Sequence, residues 1–236
     1  MTLAATLVLL NHFYVTPSRE TFEAVEQSAA ARRLGAWEKR TTVRKDATYT
    51  GLYLYGENTY LELLQPDSSL GAKTGIAWHG AIGPSVLIYR GDAPWFRLSE
   101  GNPPFAGLSD WGMEYAPAFF QQFHPELPPQ HPGLSRADAL TRYAASCGKL
   151  RERDEGLFGD VVALDVALSP ADLKLWRDRA PRLDGAEIHV TPAAASGITA
   201  ARLRLRRDAG RAVERLGDTT LTFDGKSAVW RFQEGP

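Results

Sequence analysis

Residues 49–63 read YTGLYLYGENTYLEL, and this stretch decides how the chain folds. Aromatic and aliphatic side chains run up to Gly56-Glu57-Asn58 and resume after it. That triplet suits a hairpin turn, so two antiparallel strands are expected over Thr48–Tyr55 and Thr59–Leu64. Successive side chains of a strand point to opposite faces. Tyr53 and Tyr55 therefore share a face with Gly51, while Tyr60 and Glu62 share one with Asn58 and Leu64.

Working towards the N-terminus, Trp37 to Arg44 is a third strand candidate. Before it, Phe22, Val25 and Ala29 recur with the spacing of an amphipathic helix that starts at Thr16-Pro17 and ends near Gly35. Leu3 to Val15 is an apolar strand candidate that runs into NHFYVTP, residues 11–17. The first unit, residues 1–65, thus has the order strand, helix, three strands.

The last third repeats that order over residues 156–236. Asp160 to Leu168 reads as a strand, and Ser169-Pro170 starts a helix with Asp172 placed for a capping box and Leu173, Trp176 and Ala180 as its stripe. Glu187 to Thr191 and Ile198 to Arg206 read as strands. In the latter, Leu203 and Leu205 share one face, and Arg202, Arg204 and Arg206 the other, expected to be solvated. Thr219–Phe223 and Ala228–Phe232 flank a turn at Asp224–Ser227. The fold class expected is α+β, with two βαβββ modules, the second divergent. Between them, residues 66–155 are rich in proline, glycine and aromatics, including Trp78, Trp95, Phe96, Trp111, Tyr115, Phe119 and Phe120. So many aromatics argue against a disordered linker and for a segment that packs on a module or covers a pocket. Leu134 to Cys147 within it looks helical, with Ser135 as its cap.

Composition narrows the function classes. The 236 residues carry 27 basic and 28 acidic side chains, a formal net charge of -1, so no global basic field exists to hold nucleic acid or an anionic membrane. The single cysteine, Cys147, excludes an internal disulfide and any multi-cysteine zinc site. The apolar run TLAATLVLL, residues 2–10, has no basic residue before it, the first being Arg19, which argues against a secretory signal. A cytoplasmic location is expected, without nucleic acid or membrane as a partner. No P-loop, dinucleotide-binding glycine turn or G-x-S-x-G elbow occurs.

A histidine on the first strand (NHFYVTP) and a glutamate on the fourth (TYLELLQP) resemble the vicinal oxygen chelate superfamily. The strings YTGLYLYGENTYLEL and WGMEYAPAFFQQFHPELPP are similar to its glyoxalase-like branch. The resemblance implies curved mixed sheets around a cupped site, and a divalent metal held by side chains of the first and fourth strands. His12 and Glu62 match those positions; zinc, manganese, nickel or iron suits an imidazole with a carboxylate.

Aligning the two modules sets Asp165 opposite His12 and Arg231 opposite Glu62. An arginine cannot ligate a metal. The set is then completed by Asp165, or from the central segment by His124 or Glu114. Asp165 and Arg231 forming an ion pair is the plain alternative. Glu114 and Tyr115 are candidates to move a proton, and Tyr60, Trp111 and Arg40 to contact a substrate, Arg40 otherwise pairing with Glu38 or Glu57. The function expected is a small-molecule enzyme in which a metal polarises a carbonyl or enediolate. The alternative is a metal-free protein that sequesters an aromatic small molecule; a purely structural role and a homodimer stay open.

Overall fold

A computed structural model describes residues 7–43, 47–68, 73–121, 135–179, 182–184 and 186–232. The chain is α+β, with two mixed sheets. In the first unit, β1 (Leu7–Val15) leads through α1 (Arg19–Gln27) and α2 (Ala29–Leu34) to β2 (Trp37–Val43), β3 (Thr48–Tyr55) and β4 (Tyr60–Leu64). The hairpin forms as expected, Tyr55 pairing with Tyr60 across the turn. β4 then lies parallel to β1, giving the order β2-β3-β4-β1. The expected single helix is two. The Ser18 side chain caps α1 by accepting from the Thr21 N–H, and the Ser28 side chain accepts from the Ala31 N–H, breaking the run. That break leaves Ala29 exposed and buries Ala30, Ala31 and Leu34 instead.

The central segment continues this sheet. β5 (Thr74–His79) runs antiparallel to β1, followed in space by β8 (Ser109–Tyr115), β7 (Ala93–Glu100) and β6 (Ser85–Arg90). β5 and β8 are parallel, and β8–β7 and β7–β6 antiparallel. The order β5-β8-β7-β6 therefore repeats, with the same directions, the order β1-β4-β3-β2, and the two quartets meet edge to edge at β1 and β5. Next come α3 (Pro117–Gln121), α4 (Arg136–Ser146) and α5 (Leu150–Glu155). The expected Ser135 cap is present, its hydroxyl accepting from the Asp138 N–H at 3.1 Å.

The C-terminal unit consists of β9 (Phe158–Leu168), α6 (Pro170–Arg179), β10 (Arg182–Asp184), β11 (Glu187–Pro192), β12 (Gly197–Leu205), β13 (Arg211–Leu216), β14 (Thr219–Asp224) and β15 (Ser227–Arg231). Its sheet has the order β11-β9-β12-β15-β14-β13, while β10 pairs with β1 in the first sheet. It departs from the expected repeat, because β12 lies between β9 and β15. Asp165 and Arg231 both face Ala200 of β12 from opposite sides. Asp165 bonds instead to His189 and Arg202 at 2.9 and 3.1 Å, and Arg231 is exposed. Asp172 completes only half of the expected capping box. Its N–H is capped by the Ser169 hydroxyl, but its carboxylate accepts from the Ala106 and Gly107 N–H groups and the Ser196 hydroxyl.

One apolar core lies between the sheets: Phe13, Leu61 and Leu63 of the first meet Leu164, Leu203, Trp230 and Phe232 of the second unit. A second cluster covers the other face of the first sheet, built from Tyr55, Tyr60, Trp95, Tyr115, Phe120, Leu140 and Tyr143. Apolar cover on both faces explains why all five residues of β4 are buried. The sheets are also tied by charge. Asp160 of β9 accepts from the backbone of Asn58 and Thr59, and Arg204 bonds both Glu57 and Asp160 at 2.6 and 2.7 Å. Arg204 and Arg206 thus grip the β3–β4 turn, where the sequence suggests a solvated face.

Candidate functional site

The second cluster encloses a cavity of about 250 Å³ on the face of the first sheet turned away from the inter-sheet core. β1 contributes His12 and Tyr14, β3 Tyr53 and Tyr55, β4 Tyr60 and Glu62, and β8 Trp111, Met113 and Tyr115; Arg40 of β2, Trp95 of β7 and Tyr143 of α4 close it. Local sequence makes this possible in two places. The β1–β5 register shifts between Leu10 and His12, a bulge that sends Leu10 into the inter-sheet core and His12 into the cavity. On β5 the residues paired with Tyr14 and His12 are Gly75 and Ala77, whose small side chains leave room above the strand. A Cβ at Gly75 would stand 2.8 Å from the Trp111 ring.

His12 and Glu62 come together, Nε2 lying 3.6 Å from a carboxylate oxygen. The Asn11 side-chain oxygen sits 2.8 Å from Nδ1 of His12, which places the proton on Nδ1 and leaves Nε2 an acceptor. The Tyr60 hydroxyl is 3.3 Å from that nitrogen, and its ring stacks on the imidazole at 4.1 Å, with Trp111 edge-on at 5.4 Å. Burial drives the His12 pKa down to about 3, so the ring is neutral. Burial pushes the Glu62 carboxyl up to about 7, partly offset by the positive charge of Arg40 and a hydrogen bond from Tyr60. The pair is thus a neutral imidazole beside a carboxyl poised between its two forms.

Arg40 spans the far wall. Its guanidinium lies 4.1 Å above the Tyr53 ring, and Nη1 donates to Glu38 at 3.1 Å and to the Tyr55 hydroxyl at 3.3 Å. Tyr55 in turn donates to Glu38. The Glu38 pairing is the one the sequence offers as the plain alternative, while Glu57 is occupied by Arg204 and Arg206. Burial is the first cause raising the Tyr53 pKa, with the charge of Glu62 adding to it and the charge of Arg40 and a hydrogen-bonding contact with the Thr42 side chain opposing. No hydrogen bond of ordinary geometry reaches the Tyr53 hydroxyl among the described residues.

Of the sequence-derived candidates, His12, Glu62, Arg40, Tyr60, Trp111 and Tyr115 line this cavity. Glu114 does not: it falls on the opposite face of β8 from Tyr115, exposed, within the field of His79. Asp165 lies in the other sheet. His124 lies outside the described residues. Among the described residues, the only carboxylate lining the cavity besides Glu62 is the exposed Glu100, and no group of three metal-type side chains occurs. Asn11, Tyr14 and Tyr143 are not among the sequence-derived candidates, and Trp95 is among the central-segment aromatics expected to pack on a module or cover a pocket. Tyr14 is legible two residues after His12 on the same strand face; Tyr143 arrives from a helix far along the chain, and no local signal marks it.

Residues 10–83, under half of the chain, match a family of unknown function (DUF5829). The match spans β1 to β5 and so includes both His12 and Glu62. No curated protein matches the chain.

Proposed function

We propose that this chain binds an aromatic small molecule in the cavity, on a sheet of vicinal oxygen chelate type. The observation that carries the reading is the wall itself: seven tyrosines, two tryptophans and one phenylalanine line it. Such rings offer faces and edges to a flat ligand and a few hydroxyls to orient it. The fold reading is supported by the two strand quartets of like order meeting at β1 and β5.

The metal that the resemblance implies fits this wall in part. His12 Nε2 and Glu62 are the right donors, on the right strands, with the Nε2 lone pair facing the Tyr60 hydroxyl at 3.3 Å. Across the seam, however, β5 presents Gly75 and Ala77 and β8 presents Trp111 and Met113, none of them an imidazole, thiol or carboxylate. Two donors fall short of the three that a protein metal site ordinarily supplies.

Titrating the protein with flat aromatic compounds, before and after exhaustive chelation, tests this. Tryptophan fluorescence should change saturably in both preparations, and the response should shrink in Trp111→Phe. A response that needs added metal would overturn the metal-free reading.

The approach of His12 to Glu62 favours a second reading, a divalent-metal enzyme acting on a carbonyl or enediolate. There the two side chains would hold the ion, which would polarise the substrate oxygen. Stoichiometric metal in the purified protein, lost in both His12→Ala and Glu62→Ala, is its expected mark; absence of binding on adding zinc, manganese, nickel or ferrous iron would remove it.

A further inference from the structure

Arg40 is the one lysine or arginine lining the cavity among the described residues. Its side chain is only 16% exposed, and it holds its charge firmly between Glu38 and the phenols of Tyr53, Tyr55 and Tyr143. Glu38 and Tyr55 are both served by a single terminal nitrogen, Nη1. Nε is buried with no hydrogen-bond partner, and the Tyr53 hydroxyl, on a residue 1% exposed, has none of ordinary geometry, its contact with Thr42 included. Buried polar groups in folded proteins are nearly always paired, and each exception calls for an explanation. Two such groups on neighbouring side chains, one ring stacked under the other's guanidinium and both lining the same cavity, have one economical explanation: a ligand acceptor satisfies them.

The chemistry of that acceptor follows. A guanidinium presents several N–H donors in a rigid planar fork, which matches a carboxylate better than an amide or hydroxyl oxygen. Glu38 leaves part of that fork unused. The rest of the wall is aromatic, so the body attached to the carboxylate is a ring system. On these grounds, and resting on the small-molecule binding reading above, we propose that the occupant is an aromatic carboxylate whose carboxylate group sits against Arg40 and the Tyr53 hydroxyl.

Calorimetric titration with 2-naphthoate and its uncharged counterpart 2-naphthamide tests the proposal, since the two share shape and differ in charge. The wild-type protein should bind the carboxylate about tenfold or more tightly than the amide, the worth of one charge-assisted contact. Arg40→Gln, first shown by thermal melting to be folded, removes the charge and should bring the ratio of the two affinities close to one, and Tyr53→Phe, checked in the same way, should lower it. Equal binding of acid and amide by the wild type, or a preference that survives both substitutions, would overturn the carboxylate inference and leave the binding reading standing. No binding of either compound, or of any neutral aromatic in the panel, would overturn both.

Discussion

Asp160 holds Thr59 twice over: its carboxylate accepts from the Thr59 N–H at 3.0 Å and from the Thr59 hydroxyl at 3.2 Å. The hydroxyl oxygen accepts in turn from the Val161 N–H at 2.7 Å, closing a loop between the two sheets. Thr59 immediately precedes Tyr60 and Glu62, so this clamp on the C-terminal unit fixes the turn from which two cavity residues are launched. Asp160→Ala strips acceptors from the Asn58 and Thr59 N–H groups and from Arg204. Loss of charge-assisted bonds at a site 9% exposed should cost about 3 kcal/mol. A denaturant titration would read it as a lower midpoint at unchanged slope, and an unmoved midpoint would show that the clamp carries no weight.

The legibility of this site in the sequence divides along the same line. The β3–β4 hairpin is readable because period-two patterning and the Gly56-Glu57-Asn58 turn agree, and so is the sharing of a face by Tyr60 and Glu62. Strands β5 to β8 escape that test. Gly75 and Ala77 are too small to mark a face, and β5 is buried at nearly every position, so no alternation survives. β13 is hidden for the opposite reason: Arg211, Glu214 and Arg215 give it the charged look of a loop, as befits an edge strand. The contacts of Asp160 with Asn58 and of Arg204 with Glu57 were out of reach because they are tertiary, more than a hundred residues away along the chain.

Glu62 makes stability depend on pH in a specific direction. Its carboxyl titrates near 7 when folded, against an ordinary 4.5, so the folded chain holds the proton more tightly than the unfolded one. That contribution is fully present below the unfolded pKa and is lost as pH rises through 7. Glu62→Gln, which never ionises, should therefore melt higher than wild type at pH 8, by up to about 3 kcal/mol of stability, and match it near pH 4. In the metal-enzyme reading the sign reverses, because the same substitution removes a ligand from metal-loaded protein. Melting curves at the two pH values, with and without chelator, separate these cases.

Asp172 is shifted the other way. Burial opposes its ionisation, but hydrogen bonds from Ser196 and from the Ala106 and Gly107 N–H groups prevail and hold its carboxyl below the usual carboxylate range. Its contribution is present above the unfolded carboxylate pKa and drains away as pH falls through the folded value. Asp172→Asn should cost about 2 kcal/mol at pH 7. The gap to wild type should narrow as the solution is acidified, and a gap constant from pH 7 to pH 2 would contradict the assignment.

Gly75 tests whether the cavity's volume matters. Alanine there would set a methyl group 2.8 Å from the Trp111 ring and closer still to Tyr14, so at least one aromatic ring must move. Overpacking of this kind costs about 1–3 kcal/mol. The displaced rings lie on the wall beside His12, so Gly75→Ala should also weaken aromatic ligands and alter the tryptophan emission of the free protein. Gly197→Ala is the matched control. Its added carbon would meet Thr74 at an ordinary 3.6 Å, outside the cavity, and should leave both stability and binding close to wild type. Ligand affinity that falls with Gly75→Ala and holds with Gly197→Ala ties binding to this cavity. Equal affinities in the two variants would move the ligand elsewhere on the protein.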